Sequence, residues 1–180
     1  MAAAPYFASL ARPVSDIQKT RVDDLVAYAQ RQESVFTAGD LPAPPALAVA
    51  IVACMDSRID MFRLFGLHLG EAHVIRNAGG IVTDDVMRSL TLSQALLDTR
   101  EIMLIQHTGC GLIGREDDLR QRVADATGTE PAWELGAFTD VEASVRSQLE
   151  VLHESPHLIG GKSARGFVYE VETGRLREVG

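Results

Sequence analysis

Residues 46–60 read ALAVAIVAC followed without a break by MDSRID, and this junction indicates the fold class. The apolar run Ala46–Cys54 is typical of a strand that is buried on both faces of a parallel sheet, because a strand with one wet face alternates polar and apolar residues. The polar residues begin where the strand is expected to end. The stretch therefore predicts an α/β protein that carries reactive side chains at a strand end.

The same arrangement recurs twice further along the chain. A short predicted strand, Ala72–Ile75, runs into RNAGG (76–80), and a longer one, Glu101–Gln106, runs into HTGCG (107–111). The intervening segments have the spacing of helices, so the pattern predicts a central, mostly parallel β-sheet flanked by helices. In such sheets ligands bind at the carboxyl ends of the strands, where all three polar segments are expected to lie.

The remaining elements complete the expected fold. Three helices are predicted inside the core segment: one capped by Thr83, one over about Glu116–Ala126, and one over Thr139–His153 with a Thr139/Glu142 capping box. The tail GFVYEVETGRLREV (166–179) is typical of two strands about a Thr173-Gly174 turn, which gives an extra C-terminal antiparallel hairpin.

An N-terminal helix is predicted over Ser15–Phe36, with Ser15 and Gln18 as a capping box. A chain of 180 residues is the size of one domain. We therefore expect a single domain, 1–180, made of an N-terminal helical arm (1–40) and an α/β core (46–180).

Charge and hydropathy exclude two classes of partner. The chain has 17 Lys and Arg against 25 Asp and Glu, a net charge of −8, and no local basic cluster, so we expect no nucleic acid. The apolar stretch Leu41–Cys54 contains three prolines and is shorter than the ~20 residues that span a bilayer, so we expect no membrane. The N-terminus lacks the features of a secretion signal, and the expected location is the cytoplasm.

The chain has only two cysteines, Cys54 and Cys110, and both lie at the ends of predicted strands, with His107 three residues before Cys110. Two thiolates and an imidazole favour Zn²⁺ among common metals. A structural zinc site needs four protein ligands, whereas the sequence offers three soft ones, so a water, a substrate or a carboxylate must take the fourth position. The competing interpretation is that both cysteines and the histidine are simply buried core residues.

Asp56 and Arg58 follow Cys54 at alternate positions, so all three side chains are expected on the same side of the chain. A guanidinium forked onto Asp56 would keep that carboxylate ionised and oriented beside the metal. Without a metal, the same residues would form a surface turn with a solvated arginine.

Other candidates have weaker signals. Gly79 and Gly80 lack a Cβ, so their backbone N–H groups can approach an anionic substrate closely, although a simple tight turn also explains them. His68 and His73 are candidate proton relays, and solvated surface histidines are the alternative.

The segments CMDSR (54–58), RNAGG (76–80) and HTGCG (107–111) resemble, in order and spacing, the motifs of the β-class carbonic anhydrases. The motif-bearing stretch runs from Leu47 to about Asp118, and the tail is similar to the C-terminal strands of the small bacterial and actinobacterial members.

This resemblance implies an α/β fold, a homodimer or higher homo-oligomer, and one zinc per subunit near the dimer interface. It also implies Cys54, His107 and Cys110 as ligands and Asp56 and Arg58 as the catalytic dyad. The implied reaction is the reversible hydration of carbon dioxide to bicarbonate and a proton by metal-bound hydroxide.

One position departs from part of the family. Members regulated by bicarbonate carry a tryptophan three residues before the first cysteine, where this chain has Ile51, although their associated arginine matches Arg76.

Two alternative functions stay open. A hydrolase of the same fold could act on carbonyl sulfide or carbon disulfide, which are also linear cumulated molecules. A non-catalytic zinc or redox-sensing module would use Cys54 and Cys110 as oxidisable thiols, but such a sensor does not require the Asp56/Arg58 pair.

Overall fold

The chain divides into two compact units, Met1–Asp40 and Leu41–Gly180. The computed structural model describes residues 20–180. In the first unit, α1 (Arg21–Gln32) is followed by a 3₁₀ turn over Glu33–Val35, so the α-helix ends before the predicted limit at Phe36.

The start of α1 is a capping box. The Thr20 hydroxyl accepts a hydrogen bond from the Asp23 N–H at 3.2 Å, and the Asp23 carboxylate accepts one from the Thr20 N–H at 2.7 Å. These bonds satisfy donors that a helix N-terminus otherwise leaves unpaired. The predicted capping box of Ser15 and Gln18 lies outside the described residues.

The second unit is built on a sheet that is five-stranded within residues 20–180. Its strands are β1 (Val49–Cys54), β2 (Ala72–Asn77), β3 (Glu101–His107), β4 (Arg165–Glu170) and β5 (Arg175–Val179). Their order is β2-β1-β3-β4-β5; the first four run parallel, and β5 pairs antiparallel with β4. The predicted mostly parallel sheet with a C-terminal antiparallel hairpin is confirmed.

Four helices accompany these strands in the described part of the second unit: α2 (Met61–Phe65), α3 (Asp84–Leu96), α4 (Glu116–Thr127) and α5 (Val141–Glu154). Thr83 caps α3 as predicted, accepting from the Val86 N–H. The short α2 was not predicted. No helix within residues 20–180 has the length and apolarity needed to cross a bilayer.

The predicted starts of the first strand and of the last helix were wrong. The first strand begins at Val49 because Ala48 adopts a positive φ of 54° and its N–H bonds to the Pro45 carbonyl, which forms a turn. The cap of helix α5 is Asp140 and not the predicted Thr139, because the Asp140 carboxylate accepts a hydrogen bond from the Ala143 N–H at 2.9 Å. The helix therefore begins one residue later than predicted.

The side chains of β1 alternate between two apolar layers. Ala50 and Val52 pack with residues of α3 and α5, whereas Ile51 and Ala53 pack in a second cluster with residues that include Met61 of α2. Both faces of the strand are therefore covered, which explains its continuous apolar sequence.

The strand order places the ends of β1, β2 and β3 together. Strand β1 lies between β2 and β3, so the chain moves from β1 to β2 on one side and then crosses back to β3 on the other side. This reversal of strand order opens a crevice at the carboxyl edge of the sheet. Cys54 is in register with Asn77 of β2, and Ala53 with Ile105 of β3. The three predicted polar segments meet at this switch point.

Candidate metal centre

The structure brings together the three predicted metal ligands. Cys54 ends β1, His107 ends β3, and Cys110 lies in the following turn, where Gly109 has a positive φ of 61°. The three side chains are buried, and their ligand atoms all lie within 4.8 Å of one another. The two Sγ atoms are 3.9 Å apart.

The chemistry of this cluster fits a metal cation. His107 Nδ1 lies 2.8 Å from the Thr108 carbonyl oxygen, which assigns the ring proton to Nδ1 and leaves a lone pair on Nε2. Within the described residues, Nε2 is buried and has no hydrogen-bond partner. Tetrahedral coordination with Zn–S bonds of about 2.3 Å separates two sulfurs by about 3.8 Å, close to the distance between Cys54 and Cys110.

The two thiols do not titrate independently. Their mutual hydrogen bond, reinforced by His107, lowers the pKa of Cys54 to about 4 despite its burial. The same contact and burial raise the pKa of Cys110 well above its usual range. Burial opposes protonation of His107, but the Cys54 thiolate raises the pKa of the imidazole overall. A cation bound here must therefore displace the proton that Cys110 retains.

Asp56 and Arg58 form the predicted fork at the edge of the cluster. Arg58 donates from Nε to Asp56 Oδ1 at 2.9 Å and from Nη2 to Oδ2 at 2.7 Å. These bonds hold the pKa of the Asp56 carboxyl well below its usual range. Asp56 Oδ2 lies 3.8 Å from His107 Nε2, which is too long for a hydrogen bond. The carboxylate therefore faces the cluster while Arg58 holds it.

Arg76 has a local role that the sequence did not indicate. Its Nε donates to the Cys54 carbonyl oxygen at 2.9 Å, and its Nη2 donates to the Asp56 carbonyl oxygen at 2.6 Å. The Met55 N–H also bonds to the Asn77 carbonyl oxygen at 2.8 Å. The end of β2 thus fixes the turn that presents both Cys54 and Asp56.

The glycine turn after β2 packs against the same strand ends. Gly80 has a φ of 62°, and a Cβ there would meet the Ile105 carbonyl oxygen at 2.6 Å and the Cys54 nitrogen at 2.8 Å. Backbone packing therefore accounts for Gly80. Gly79 instead lines the cavity in front of the cluster, and its carbonyl oxygen accepts from Gln106 Nε2 at 3.0 Å.

This cavity has a volume of about 340 Å³. Its walls combine Cys54, Cys110 and Asp56 with the apolar side chains of Met55 and Leu112. A cavity of this size with partly apolar walls can admit a small neutral molecule to the Cys54/His107/Cys110 cluster.

The two candidate relay histidines lie elsewhere. His68 is exposed and its Nδ1 is 3.4 Å from Glu71 Oε2. His73 Nδ1 lies 2.8 Å from Ser93 Oγ, and His73 is in register with Ala50, four residues before Cys54, which is about 13 Å along a strand. The geometry of the site gives no support to either as a relay.

Fold and site together define an α/β protein with a candidate catalytic metal centre at the switch point of its sheet. The carbonic anhydrase family model matches residues 49–130. Beta-carbonic anhydrase 1 of Mycobacterium tuberculosis is 47% identical over 161 residues, covering 89% of this chain and 98% of the relative.

Two further comparisons bear on the family. A carbon disulfide hydrolase of Acidithiobacillus thiooxidans is 33% identical over 153 residues, covering 71% of this chain and 70% of the relative. The crystal structure of carbonic anhydrase from Streptococcus mutans matches with a TM-score of 0.84 and 37% identity, covering 91% of this chain and 100% of that chain. The chain belongs to the β-carbonic anhydrase family of enzymes.

Proposed function

We propose that this enzyme catalyses the reversible hydration of carbon dioxide to bicarbonate and a proton, with one Zn²⁺ per chain held by Cys54, His107 and Cys110. One observation carries the proposal. The buried Nε2 of His107, which has no hydrogen-bond partner among residues 20–180, and two sulfurs 3.9 Å apart lie beside the carboxylate of Asp56. A thiolate, thiolate and imidazole set selects zinc among common metals, and three protein ligands leave one position open. Zinc, when bound, supplies the Lewis acidity that makes water reactive near neutral pH.

Asp56 is suited to orient the reacting water. Its lowered pKa keeps it a carboxylate, which only accepts hydrogen bonds. Oδ2 accepts from Arg58 and retains a second lone pair on the side of His107. A water or hydroxide that donates to this lone pair has its own lone pair directed away from Asp56, toward carbon dioxide in the cavity.

The surroundings suit the substrate and the product. Carbon dioxide is neutral, and the apolar side chains of Met55 and Leu112 line its approach. Gly79 lacks a Cβ, so its backbone can come close to the developing bicarbonate. The net charge of −8 does not hinder a neutral substrate and favours release of the anion.

A second candidate activity is the hydrolysis of carbonyl sulfide or carbon disulfide. The relative from Acidithiobacillus thiooxidans is a carbon disulfide hydrolase, and the apolar cavity also suits these molecules. A redox-sensing module is disfavoured, because a sensor has no use for the Arg58 fork on Asp56.

Parallel assays on the zinc-loaded protein separate these activities. We expect stopped-flow measurements to show carbon dioxide hydration with a kcat/KM above the values for carbonyl sulfide and carbon disulfide, which are followed by sulfide release. A higher kcat/KM for either sulfur compound would favour the hydrolase, and inactivity toward all three would contradict the enzymatic proposal.

We further propose that the protein is a homodimer or a multiple of one. Three apolar side chains of α1, Val22, Leu25 and Val26, are each about half or more exposed in the single chain, and a partner subunit would bury them. Light scattering at micromolar concentration should give at least twice the mass of one chain. A fully active monomer would refute this assembly.

A further inference from the structure

We propose that Thr108 and Glu172 act as a positioning pair, through which the C-terminal hairpin holds the metal ligand His107 and the guanidinium of Arg58. The inference rests on the proposed zinc site and goes beyond it, because neither residue is a ligand or a member of the Asp56/Arg58 dyad. The loop between β4 and β5, residues 171–174, supplies the contacts.

Thr108 connects His107 to that loop. Its carbonyl oxygen is the partner of His107 Nδ1 at 2.8 Å, so the orientation of this peptide decides where Nε2 points. The Thr108 hydroxyl accepts from the Val171 N–H at 3.1 Å and donates to Glu172 Oε2 at 2.8 Å. With its N–H also bonded to the Tyr169 carbonyl oxygen at 3.0 Å, Thr108 is held at three points from β4 and the loop.

Glu172 also faces the far side of the Asp56/Arg58 fork. Arg58 Nη2 donates to the Gly109 carbonyl oxygen at 2.9 Å in addition to Asp56. A Cβ built on Gly109 would lie 3.7 Å from Glu172 Oε1 and 3.9 Å from Arg58 Nη1, so the carboxylate and the guanidinium border the same small gap. Their opposite charges attract each other across it, and the bond from Thr108 fixes the carboxylate there.

Two separable effects follow from this arrangement. The Thr108 hydroxyl stabilises the peptide that orients His107, so its loss should weaken metal retention. The charge of Glu172 restrains Arg58, so its loss should loosen the fork that positions Asp56. The first effect concerns the metal, and the second concerns turnover.

The variants Thr108→Val, Thr108→Ser, Glu172→Ala and Glu172→Gln distinguish these effects. Zinc release to a chelator and the absorption spectrum of the Co²⁺-substituted protein report on ligand geometry without turnover. We expect Thr108→Val to release zinc about 10-fold faster or more and to shift the cobalt bands, and Thr108→Ser to restore both.

The two substitutions of Glu172 should separate the effect on zinc retention from the effect on turnover. Glu172→Ala should also speed zinc release. The double variant should release zinc little faster than Thr108→Val alone, because that single change already breaks the bond between Thr108 and Glu172. Glu172→Gln keeps an acceptor for Thr108, so it should retain zinc normally and lower kcat about threefold or more at unchanged KM.

Glu170→Ala is the matched control, because Glu170 accepts a hydrogen bond from Thr173 Oγ1 within the same hairpin and has no hydrogen bond to Thr108 among the described residues. Unchanged zinc release and cobalt spectra in Thr108→Val and Glu172→Ala would overturn the positioning role, as would equal effects in Glu170→Ala. If the unchanged protein binds no zinc, the proposed function fails instead.

Discussion

Asp56→Asn should retain zinc and lose about 10²-fold or more in the rate of carbon dioxide hydration, the scale of a positioned acid or base group. Among the described residues, the set whose ligand atoms lie within 4.8 Å of one another contains Cys54, His107 and Cys110 and not Asp56. The substitution therefore leaves the three proposed ligands intact. It replaces an oxygen that only accepts hydrogen bonds with an amide that also donates. Stopped-flow assays and metal analysis measure the two expected results.

Asp56 itself should not titrate near neutral pH. Arg58 lowers the pKa of Asp56, so the group stays ionised above that pKa and does not titrate between about pH 7 and 9. The wild-type rate should still rise over this range, because two thiolates offset the charge of Zn²⁺ and acidify water less than neutral imidazoles do.

Arg58→Ala tests the orientation of the carboxylate separately. At neutral pH a carboxyl with an ordinary pKa is already ionised, so Arg58 acts by holding Asp56 in place. The variant should lose activity to a similar degree while keeping its zinc. Asp85→Asn, which also replaces a carboxylate with an amide but at an exposed position, is the control for Asp56→Asn. Full activity of Asp56→Asn at pH about 8.5 would contradict the mechanism.

Cys110→Ser should lose most of its zinc and with it the hydration activity. A serine hydroxyl is a poor ligand for zinc compared with a thiolate, and the substitution leaves Cys54 and His107 as the only two soft ligands of the set. Metal analysis of the purified protein should find about one zinc per chain in the unchanged protein and a small fraction of that in the variant.

A matched pair of variants controls this result. Cys54→Ser should behave like Cys110→Ser, whereas Ser57→Ala, an exposed change in the turn after β1, should keep its zinc. Circular dichroism should show the same secondary structure in all of them, because each substitution exchanges side chains of similar size. Full zinc retention in Cys110→Ser would overturn the ligand assignment.

The candidate metal ligands could be predicted because cysteine, a residue type with ligand chemistry, is rare in this sequence. The chain has only two cysteines, and both lie at the ends of predicted strands. The fork of Arg58 on Asp56 was predictable for a different reason: the two residues are so close in sequence that the turn alone can bring them together. The rarity of cysteine carried the first prediction, and local spacing carried the second.

The supporting contacts could not be predicted, because they join residues far apart in the chain. Arg76 reaches the carbonyl oxygens of Cys54 and Asp56 across neighbouring strands. Thr108 and Glu172, which share a hydrogen bond, are 64 positions apart in the sequence. No pattern near either residue marks its partner, since the contact depends on which strands become neighbours.

The sequence by itself determined the class of fold, the three candidate ligands and the local Asp56/Arg58 pair, because apolar runs, strand ends and short spacings are properties of the chain. Only the tertiary structure decided the order β2-β1-β3-β4-β5. That order puts Cys54 and His107 at one switch point, brings the C-terminal hairpin to Thr108 and gives Gly80 its close backbone packing. The physical reason is that strand pairing is settled by the burial of both sheet faces at once, a condition that no single segment contains.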